Sequence, residues 1–265
     1  MGAYSLNFFQ INAQHSRTAT NNLIQLINEQ SIDIICIQEP YSINTKLPGI
    51  PKSMRTYACG DGRRRAAIII SNHNIDATLI RQYSDEDCII IEVNYNGEKF
   101  YTASMYFDRE RNIETDIRKV ETVLDHIKGS EIIIASDTNA RNTIWYNVEN
   151  NERGRVLEEF ITTTSLHITN ENTGIPTFET RRAKSWVDLT MTNNHLLAHV
   201  TEWNCGVEES CADHKIIAFT LDSKTQRYAK TFRSIKYIKN TNDYAIFDAL
   251  LEETLKNTLV PQKRS

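Results

Sequence analysis

Glycine and proline are scarce in this chain, at nine and five among 265 residues. That scarcity excludes collagen-like repeats and architectures dominated by linkers. No apolar run approaches the roughly 20 residues needed to cross a bilayer. The first residues, MGAYSLNFFQ, lack the basic and apolar segments of a secretion signal. We therefore expect a soluble globular protein without a membrane partner, with room for one large domain or two small ones.

The five cysteines do not form a disulfide pattern. They are odd in number and lack paired close spacings, at Cys36, Cys59, Cys88, Cys205 and Cys211. Cys205 and Cys211 could bridge or bind zinc, but no matching Cys/His pair accompanies them. We therefore expect free thiols and an intracellular, reducing compartment.

A basic surplus is also missing, since the formal net charge is −4. The total charge therefore gives no support to a nucleic-acid binder. Basic residues are instead clustered locally, in DGRRRA at 61–66 and in TRRAK at 180–184. Each cluster is either a solvated surface segment or a contact for phosphates.

Short runs rich in isoleucine and valine alternate with helical patterns, which is typical of an α/β fold. Two β-prone runs within 88–108 flank Asn96-Gly97, a dipeptide that favours a two-residue hairpin turn. Apolar residues spaced by three and four predict a helix over 112–128. The remaining predicted helices cover 18–31 and 153–166, and the other main predicted strands cover 5–12, 32–40, 66–71, 131–136, 176–180, 185–193, 199–206 and 214–221.

The last forty residues differ from the rest. Basic residues occur at every third position from Lys224 to Lys239, and an amphipathic helical pattern follows. We place a domain boundary near 222, which gives a main domain over 1–222 and a basic connector with a helix over 223–265. The connector is either a solvated linker or a phosphate-binding strip.

Polar side chains stand repeatedly where predicted strands end or begin. They are Asn12, Glu39, Tyr106, Asp137, Asn139, Asp188, Asp213 and His214. Singly, most are ordinary turn or capping residues. Together, these residues make a set suited to phosphodiester hydrolysis. Carboxylates can bind Mg²⁺, and amides, a phenol and a histidine can hold phosphate oxygens or the water.

In this order, the residues resemble the motifs of the endonuclease/exonuclease/phosphatase superfamily, the fold of deoxyribonuclease I and of the apurinic repair endonucleases. The likeness covers about residues 4–222 and includes QE at 38–39, DTN at 137–139 and DH at 213–214. It implies an α/β fold in four layers, with two packed mixed β-sheets flanked by helices.

DTNARNTIW, RGRVLEEFI, PTF and SWVDLTM are similar to motifs in endonuclease domains of non-LTR retrotransposons, particularly the site-specific arthropod elements. This likeness implies an enzyme that nicks one strand of double-stranded DNA in the nucleus. The resulting 3′-hydroxyl would prime reverse transcription by a downstream polymerase on the element's RNA. The target sequence stays open.

The resemblance also implies roles for single residues. Glu39, with Asn12 and Asp213, would bind Mg²⁺, or alternatively Mn²⁺, as one or two ions. Asp137, helped by Asn139, would orient or deprotonate the attacking water. Asp188 would fix the ring of His214, which would contact the scissile phosphate. Tyr106 and Thr177 would contact phosphate oxygens. The general base is either Asp137 or His214.

Further DNA contacts are expected from Arg181, Arg182 and Lys184 in a hairpin, and from Arg63 and Arg64. Three positions depart from the family pattern: Ser136 stands for a glycine, Ala212 for a serine, and Val187-Asp188-Leu189 for a Leu-Asp-Tyr-like triplet. They remove no presumed catalytic group. The alternatives are an abasic-site endonuclease or other phosphoesterase on the same fold, and an inactive nucleic-acid-binding domain.

Overall fold

A computed structural model of the chain describes residues 4–223. The predicted connector and helix beyond Ser223 lie outside the described residues. Fourteen strands are described within that range: β1 (Ser5–Asn12), β2 (Ile34–Gln38), β3 (Arg55–Tyr57), β4 (Ala66–Ile70), β5 (Asp76–Leu79), β6 (Cys88–Tyr95), β7 (Glu98–Tyr106), β8 (Ile132–Asp137), β9 (Leu166–Ile168), β10 (Phe178–Glu179), β11 (Lys184–Ser185), β12 (Asp188–Asn193), β13 (Val200–Cys205) and β14 (Ile217–Asp222).

The described helices are α1 (Arg17–Gln30), α2 (Glu114–His126), α3 (Glu152–Thr163) and α4 (Asn194–Leu197), with 3₁₀ turns at Arg81–Tyr83 and Thr143–Trp145. Ser16 caps α1 by accepting a hydrogen bond from the backbone of Ala19, and Asn151 caps α3 through Gly154. Within residues 4–223, no helix has the length and apolar character needed to cross a membrane.

The strands form two six-stranded mixed sheets. The first has the order β13-β14-β1-β2-β4-β3, and the second has the order β5-β6-β7-β8-β12-β9. The parallel pairs are β1 with β2 and β7 with β8. Helix α1 packs on the outer face of the first sheet, and α2 and α3 pack on the outer face of the second. The predicted four-layer α/β sandwich is confirmed.

Alternation along each strand explains the layers. In β1, Phe8 faces the second sheet, whereas Phe9 and Ile11 face α1. In β8, Ile133 packs between the sheets, whereas Ile134 packs under α2 and α3. Because successive side chains of a strand point to opposite faces, an almost unbroken apolar strand supplies two cores at once.

The predicted elements agree with the structure in their order but not always in their ends. The hairpin turn is confirmed, with Asn96 and Gly97 both at positive φ. The predicted strand over 32–40 ends earlier, at Gln38, because Glu39 has a left-handed backbone. The short strands β3, β5 and β9 were not predicted, since three or four residues give too little periodicity.

Two buried glutamines link the sheets through hydrogen bonds. Gln10 in β1 donates to the carbonyls of Ser136 and Leu189 in the second sheet, at 3.3 and 3.2 Å, and accepts from Thr190 Oγ1 at 2.8 Å. Gln38 in β2 donates to Ser104 Oγ and to the carbonyl of Ala135, at 3.0 and 3.1 Å. These bonds fix the relative position of the two sheets.

Replacing Gln10 by leucine is expected to lower the free energy of unfolding by about 1–3 kcal/mol, since it leaves buried polar groups of the second sheet without their partner. Urea denaturation measures this change. Gln25→Leu, on the exposed face of α1, is the matched control and should change stability little. Equal stability of Gln10→Leu and wild type would contradict the proposed link between the sheets.

Candidate active site

The strands bring six of the predicted residues to one end of the sandwich. Asn12 ends β1, and Glu39 follows the neighbouring parallel strand β2. Tyr106 and Asp137 are paired at the ends of β7 and β8. Asp188 is paired with Asp137 at the start of the antiparallel β12. His214 joins them because it forms a β-bridge with Phe178, beside the loop that leads into β12.

Side chains from both sheets meet at Asp137, which is buried. Asn12 Nδ2 donates to Asp137 Oδ2 at 2.7 Å across the gap between the sheets. The backbone N–H of Asn139 donates to the other oxygen, Oδ1, at 3.1 Å. His214 Nε2 lies 4.0 Å from Asp137 Oδ2. That spacing exceeds a hydrogen bond, so the two groups face each other without direct contact.

Asp188 holds the opposite side of the His214 ring. Nδ1 of His214 lies 3.0 and 2.9 Å from the two carboxylate oxygens of Asp188. A carboxylate can only accept, so Nδ1 carries a proton and Nε2 points toward Asp137. Phe178 packs on the ring, with centroids 4.8 Å apart. The orientation of the imidazole is thereby fixed.

Burial and neighbouring charges together raise the pKa values of both Asp137 and His214. Burial, and then the negative charge of Asp188, raise the pKa of Asp137 well above the usual range of a carboxyl group. Burial opposes protonation of His214, but Asp188 outweighs it and raises the pKa of His214 to about 9. At neutral pH, His214 is therefore a cation, and Asp137 is a carboxyl group that can take or release a proton.

Glu39 stands beside this group on the first sheet. Its backbone N–H donates to the carbonyl of Arg65, and its φ of 44° turns the side chain away from the strand direction. Burial raises the pKa of Glu39, but His15 and Asn12 outweigh burial, so the pKa is lowered. Glu39 is thus an ionised, partly exposed carboxylate suited to hold a hard cation.

A divalent ion has two sets of donors here. Asp137, Asp188 and His214 offer ligand atoms within 4.8 Å of one another, and they could hold a metal. Glu39 is not part of that set, although the side-chain amide of Asn12 hydrogen-bonds to its carboxylate. Asp213 is exposed and accepts a hydrogen bond from Gln14 at 3.2 Å. Its predicted metal role stays a prediction.

Tyr106 is buried beside the carboxylates. Burial, and then the charges of Glu39 and Asp137, raise the pKa of its phenol, which therefore stays neutral. The guanidinium of Arg65 lies over its ring, 5.2 Å from the centroid. Arg65 is itself held by Asp87 at 2.6 Å and Asp108 at 2.6 Å. The neutral phenol can therefore donate a hydrogen bond.

The loop after Asp137 is held by Arg153 of α3. Its guanidinium donates to four backbone carbonyls, those of Phe107, Asp108, Arg111 and Thr138. Asn139 reaches the same carbonyl of Phe107 at 3.1 Å. A Cβ on Gly154 would stand 1.8 Å from the carbonyl oxygen of Arg141, so only glycine lets α3 approach this loop. The DTNAR and RGR motifs therefore support one another.

Thr177 does not have the expected position. It is fully buried, and its hydroxyl oxygen accepts the backbone N–H groups of Val187 and Asp188, both at 3.1 Å. A group enclosed in this way has no surface for a phosphate oxygen. The predicted contact of Thr177 with a phosphate oxygen therefore has no support in this structure, where the residue fixes the backbone at Asp188.

Both predicted basic segments adjoin the site. Arg181 and Arg182 are exposed at the turn between β10 and β11, and the base of that hairpin bonds to the chain at Asp213. Arg63 is exposed and Arg64 partly exposed, just before Arg65, whose carbonyl accepts from Glu39. Lys184 is exposed but paired with Glu179 at 2.7 Å. Their contacts with DNA stay predictions.

Comparisons with known proteins agree with this geometry. A family model described as endonuclease-reverse transcriptase matches residues 100–218. The solved endonuclease domain of TRAS1, a telomere-specific non-LTR retrotransposon, superimposes with a TM-score of 0.76 at 26% identity, covering 82% of this chain and 98% of that one. The chain is similar to endonucleases of the endonuclease/exonuclease/phosphatase superfamily in sequence over residues 100–218 and in its fold. The predicted likeness to endonucleases of non-LTR retrotransposons is confirmed.

Two further proteins show a weaker likeness to this chain. It is 23% identical over 238 residues to the 115 kDa protein of the type-1 retrotransposable element R1DM of Drosophila melanogaster. That alignment covers 86% of this chain but only 23% of the fly protein. An AP endonuclease from Leishmania major shares the fold, with a TM-score of 0.64 at 11% identity over 82% of this chain and 87% of that one.

Several residues that hold this candidate site together were not predicted individually. They are Gln10, Gln38, His15, Arg65 and Arg153. Gln38 and Arg153 lie within motifs that were recognised as QE and RGR, but their partners are distant in the sequence. The burial of a long polar side chain is visible only once the sheets are paired. A glutamine inside an apolar strand was the available signal.

Asp188→Asn is expected to lower the pKa of both His214 and Asp137, because the charge of Asp188 raises both. NMR titration should then show His214 losing its proton at a lower pH than about 9. Asp76→Asn, on the distant strand β5, is the matched control. Unchanged titration of His214 in Asp188→Asn would contradict the assigned interaction.

Proposed function

We propose that this domain is a divalent-metal-dependent endonuclease that nicks one strand of double-stranded DNA and leaves a 3′-hydroxyl. The observation that supports it most strongly is the convergence of Asn12 and Asp137 from opposite sheets. Beside them stand an ionised Glu39 and a His214 cation fixed by Asp188. Cationic groups of such a site can neutralise the negative charge of a phosphodiester. Its carboxylates can direct a water molecule at the phosphorus atom.

Glu39 and Asn12 would hold Mg²⁺ or Mn²⁺, because carboxylate and amide oxygens are the ligands that these ions prefer. When bound, the cation would neutralise the phosphate and stabilise the leaving oxygen. The amide of Asn12 hydrogen-bonds to both Asp137 and Glu39. Asp137, which would act on the water, therefore lies next to Glu39, which would bind the cation.

The pKa shifts favour one assignment of catalytic roles to Asp137, His214 and Tyr106. Asp137, whose pKa is raised, accepts the proton of the attacking water. His214, protonated at neutral pH, and the neutral phenol of Tyr106 donate hydrogen bonds to the phosphate oxygens. The water oxygen bonds to phosphorus, and the bond from phosphorus to the 3′ oxygen breaks. The 3′ oxygen takes up a proton as it leaves.

The exposed arginines would bind the DNA on both sides of this site. Arg181 and Arg182 extend from the hairpin that adjoins His214, and Arg63 and Arg64 precede the segment bonded to Glu39. Phosphate contacts on both flanks would hold the scissile bond over the carboxylates. Local basic patches of this kind reconcile a net charge of −4 with a DNA substrate.

We further infer that the domain works as part of a longer retrotransposon protein. The chain spans about a quarter of the fly relative's length, and the matching family model is described as endonuclease-reverse transcriptase. The nicked 3′ end would prime reverse transcription of the element's RNA by that polymerase. This reaction places the protein in the nucleus, where its target DNA lies.

Other phosphoesterase activities remain the alternative on this fold, since the Leishmania structure is an AP endonuclease. Comparing nicking of intact supercoiled DNA with cleavage of abasic DNA separates the two. A preference for abasic sites would assign the domain to repair chemistry. Binding of DNA without cleavage of either substrate would instead assign an inactive binding domain.

His214→Ala is expected to slow Mg²⁺-dependent nicking of supercoiled plasmid about a hundredfold or more, the range for loss of a positioned proton-transfer or charge-stabilising group. His195→Ala, an exposed histidine in α4, is the matched control and should keep the wild-type rate. A chelator should abolish nicking by both proteins. Equal rates for His214→Ala and wild type would remove His214 from the mechanism.

Arg181→Ala and Arg182→Ala are expected to change the distribution of cut sites more than the maximal rate, because the hairpin contacts DNA beside the reacting phosphate. Each loss of a phosphate contact should also reduce the salt dependence of binding by about one unit of slope. Sequencing of nick positions measures the distribution, with Arg118→Ala on the exposed face of α2 as control. An unchanged distribution in both hairpin variants would contradict this interpretation.

A further inference from the structure

The side chain of His15 is fixed against Glu39 by the backbone around it. His15 follows β1 in a left-handed conformation with φ of 53°, and its N–H donates to the carbonyl of Glu39 at 2.7 Å. Ala13 donates likewise to the carbonyl of Gln38 at 2.8 Å. The loop after β1 and the end of β2 therefore form one unit, with the His15 side chain only 14% exposed.

One ring nitrogen of His15 is committed to the backbone. Nδ1 lies 3.0 Å from the carbonyl oxygen of Pro40, which can only accept a hydrogen bond. Nδ1 therefore carries the proton. Histidines that bind metals commonly donate this second nitrogen to a carbonyl or carboxylate, which fixes the ring and leaves the other nitrogen free for the ion.

The other nitrogen, Nε2, is buried and faces the carboxylate of Glu39, whose Oε1 lies 3.3 Å away. Within residues 4–223, no atom stands in good hydrogen-bond geometry to Nε2. A charge-assisted hydrogen bond between these atoms would be shorter, at about 2.7–2.9 Å. Two adjacent ligands of one octahedral ion, each about 2.1 Å from it, stand about 3 Å apart. The observed spacing is close to that of two ligands around a shared ion.

We propose that His15 Nε2 is a ligand of the divalent cation held by Glu39, and that this imidazole makes the site favour Mn²⁺ over Mg²⁺. The assignment rests on the proposed function of Glu39 as a metal-binding residue. Imidazole nitrogen binds first-row transition ions better than Mg²⁺, which prefers oxygen ligands and keeps its waters. His15 is therefore the residue that sets which metal this site takes.

Mn²⁺ binding to the full chain, measured by electron paramagnetic resonance with Mg²⁺ as competitor, tests the proposal without reference to activity. Wild type should bind Mn²⁺ more tightly than Mg²⁺. His15→Gln should weaken Mn²⁺ binding about tenfold or more, as expected when a metal site loses a supporting group, and should change Mg²⁺ binding less. Glu39→Gln should weaken both, and His73→Gln, an exposed histidine, should weaken neither.

Electron spin echo spectra of the Mn²⁺-loaded protein provide a second readout that does not depend on a variant's stability. Wild type should show modulation from a coordinated imidazole nitrogen. The signal should persist in His214→Gln, which separates His15 from the other histidine of the site, and disappear in His15→Gln. Absence of the signal in wild type, its loss in His214→Gln, or unchanged Mn²⁺ affinity in a folded His15→Gln would each overturn the proposal.

These results are distinguishable from a failure of the proposed endonuclease activity. A protein that shows the nitrogen signal but never nicks DNA would retain the assignment of His15 and lose the proposed function. A protein that nicks DNA with Mg²⁺ but shows no nitrogen signal would retain the function and lose the role of His15.

Discussion

The hydrogen bonds of Gln10 and Gln38 across the interior are the interactions on which the site depends. Asn12 and Glu39 belong to one sheet, whereas Asp137 and Asp188 belong to the other. Apolar packing between the sheets tolerates small relative shifts, because dispersion and burial are not directional. Amide groups bonded to specific backbone carbonyls do not tolerate them. These hydrogen bonds fix the site residues of one sheet relative to those of the other, so that the 2.7 Å hydrogen bond between Asn12 and Asp137 can form.

The site is costly to keep without a ligand. Asp137 and Asp188 are almost fully buried, and the ring of His214 faces both of them. Burial of carboxylates is unfavourable unless they are paired or hydrogen-bonded, and the raised pKa of Asp137 expresses that cost. Left-handed backbone at His15, Glu39 and Asn139 adds local strain in the same place.

The sequence predicted the layers, the hairpin at Asn96-Gly97 and the polar strand ends, because each follows from local periodicity or turn chemistry. Ordered motifs then indicated the likeness to the superfamily, which the family model and the TRAS1 structure share. Periodicity could not predict that Thr177 is enclosed beneath the start of β12, since burial of a threonine is decided by strands that meet only in the fold. It also could not show that Arg153 binds four carbonyls, or that Lys184 is paired with Glu179. Threonine, arginine and lysine occur in many structural environments, so residue type alone does not predict these contacts.

The central claim is that residues from the two sheets act as one catalytic unit. A double-mutant cycle of Asn12→Ala and Asp137→Ala, read by single-turnover nicking of supercoiled DNA, tests it most directly. Residues that act as a unit give strongly non-additive losses. The double variant should therefore nick nearly as fast as the slower single variant. Losses that multiply would show that Asn12 and Asp137 act independently and would contradict the account.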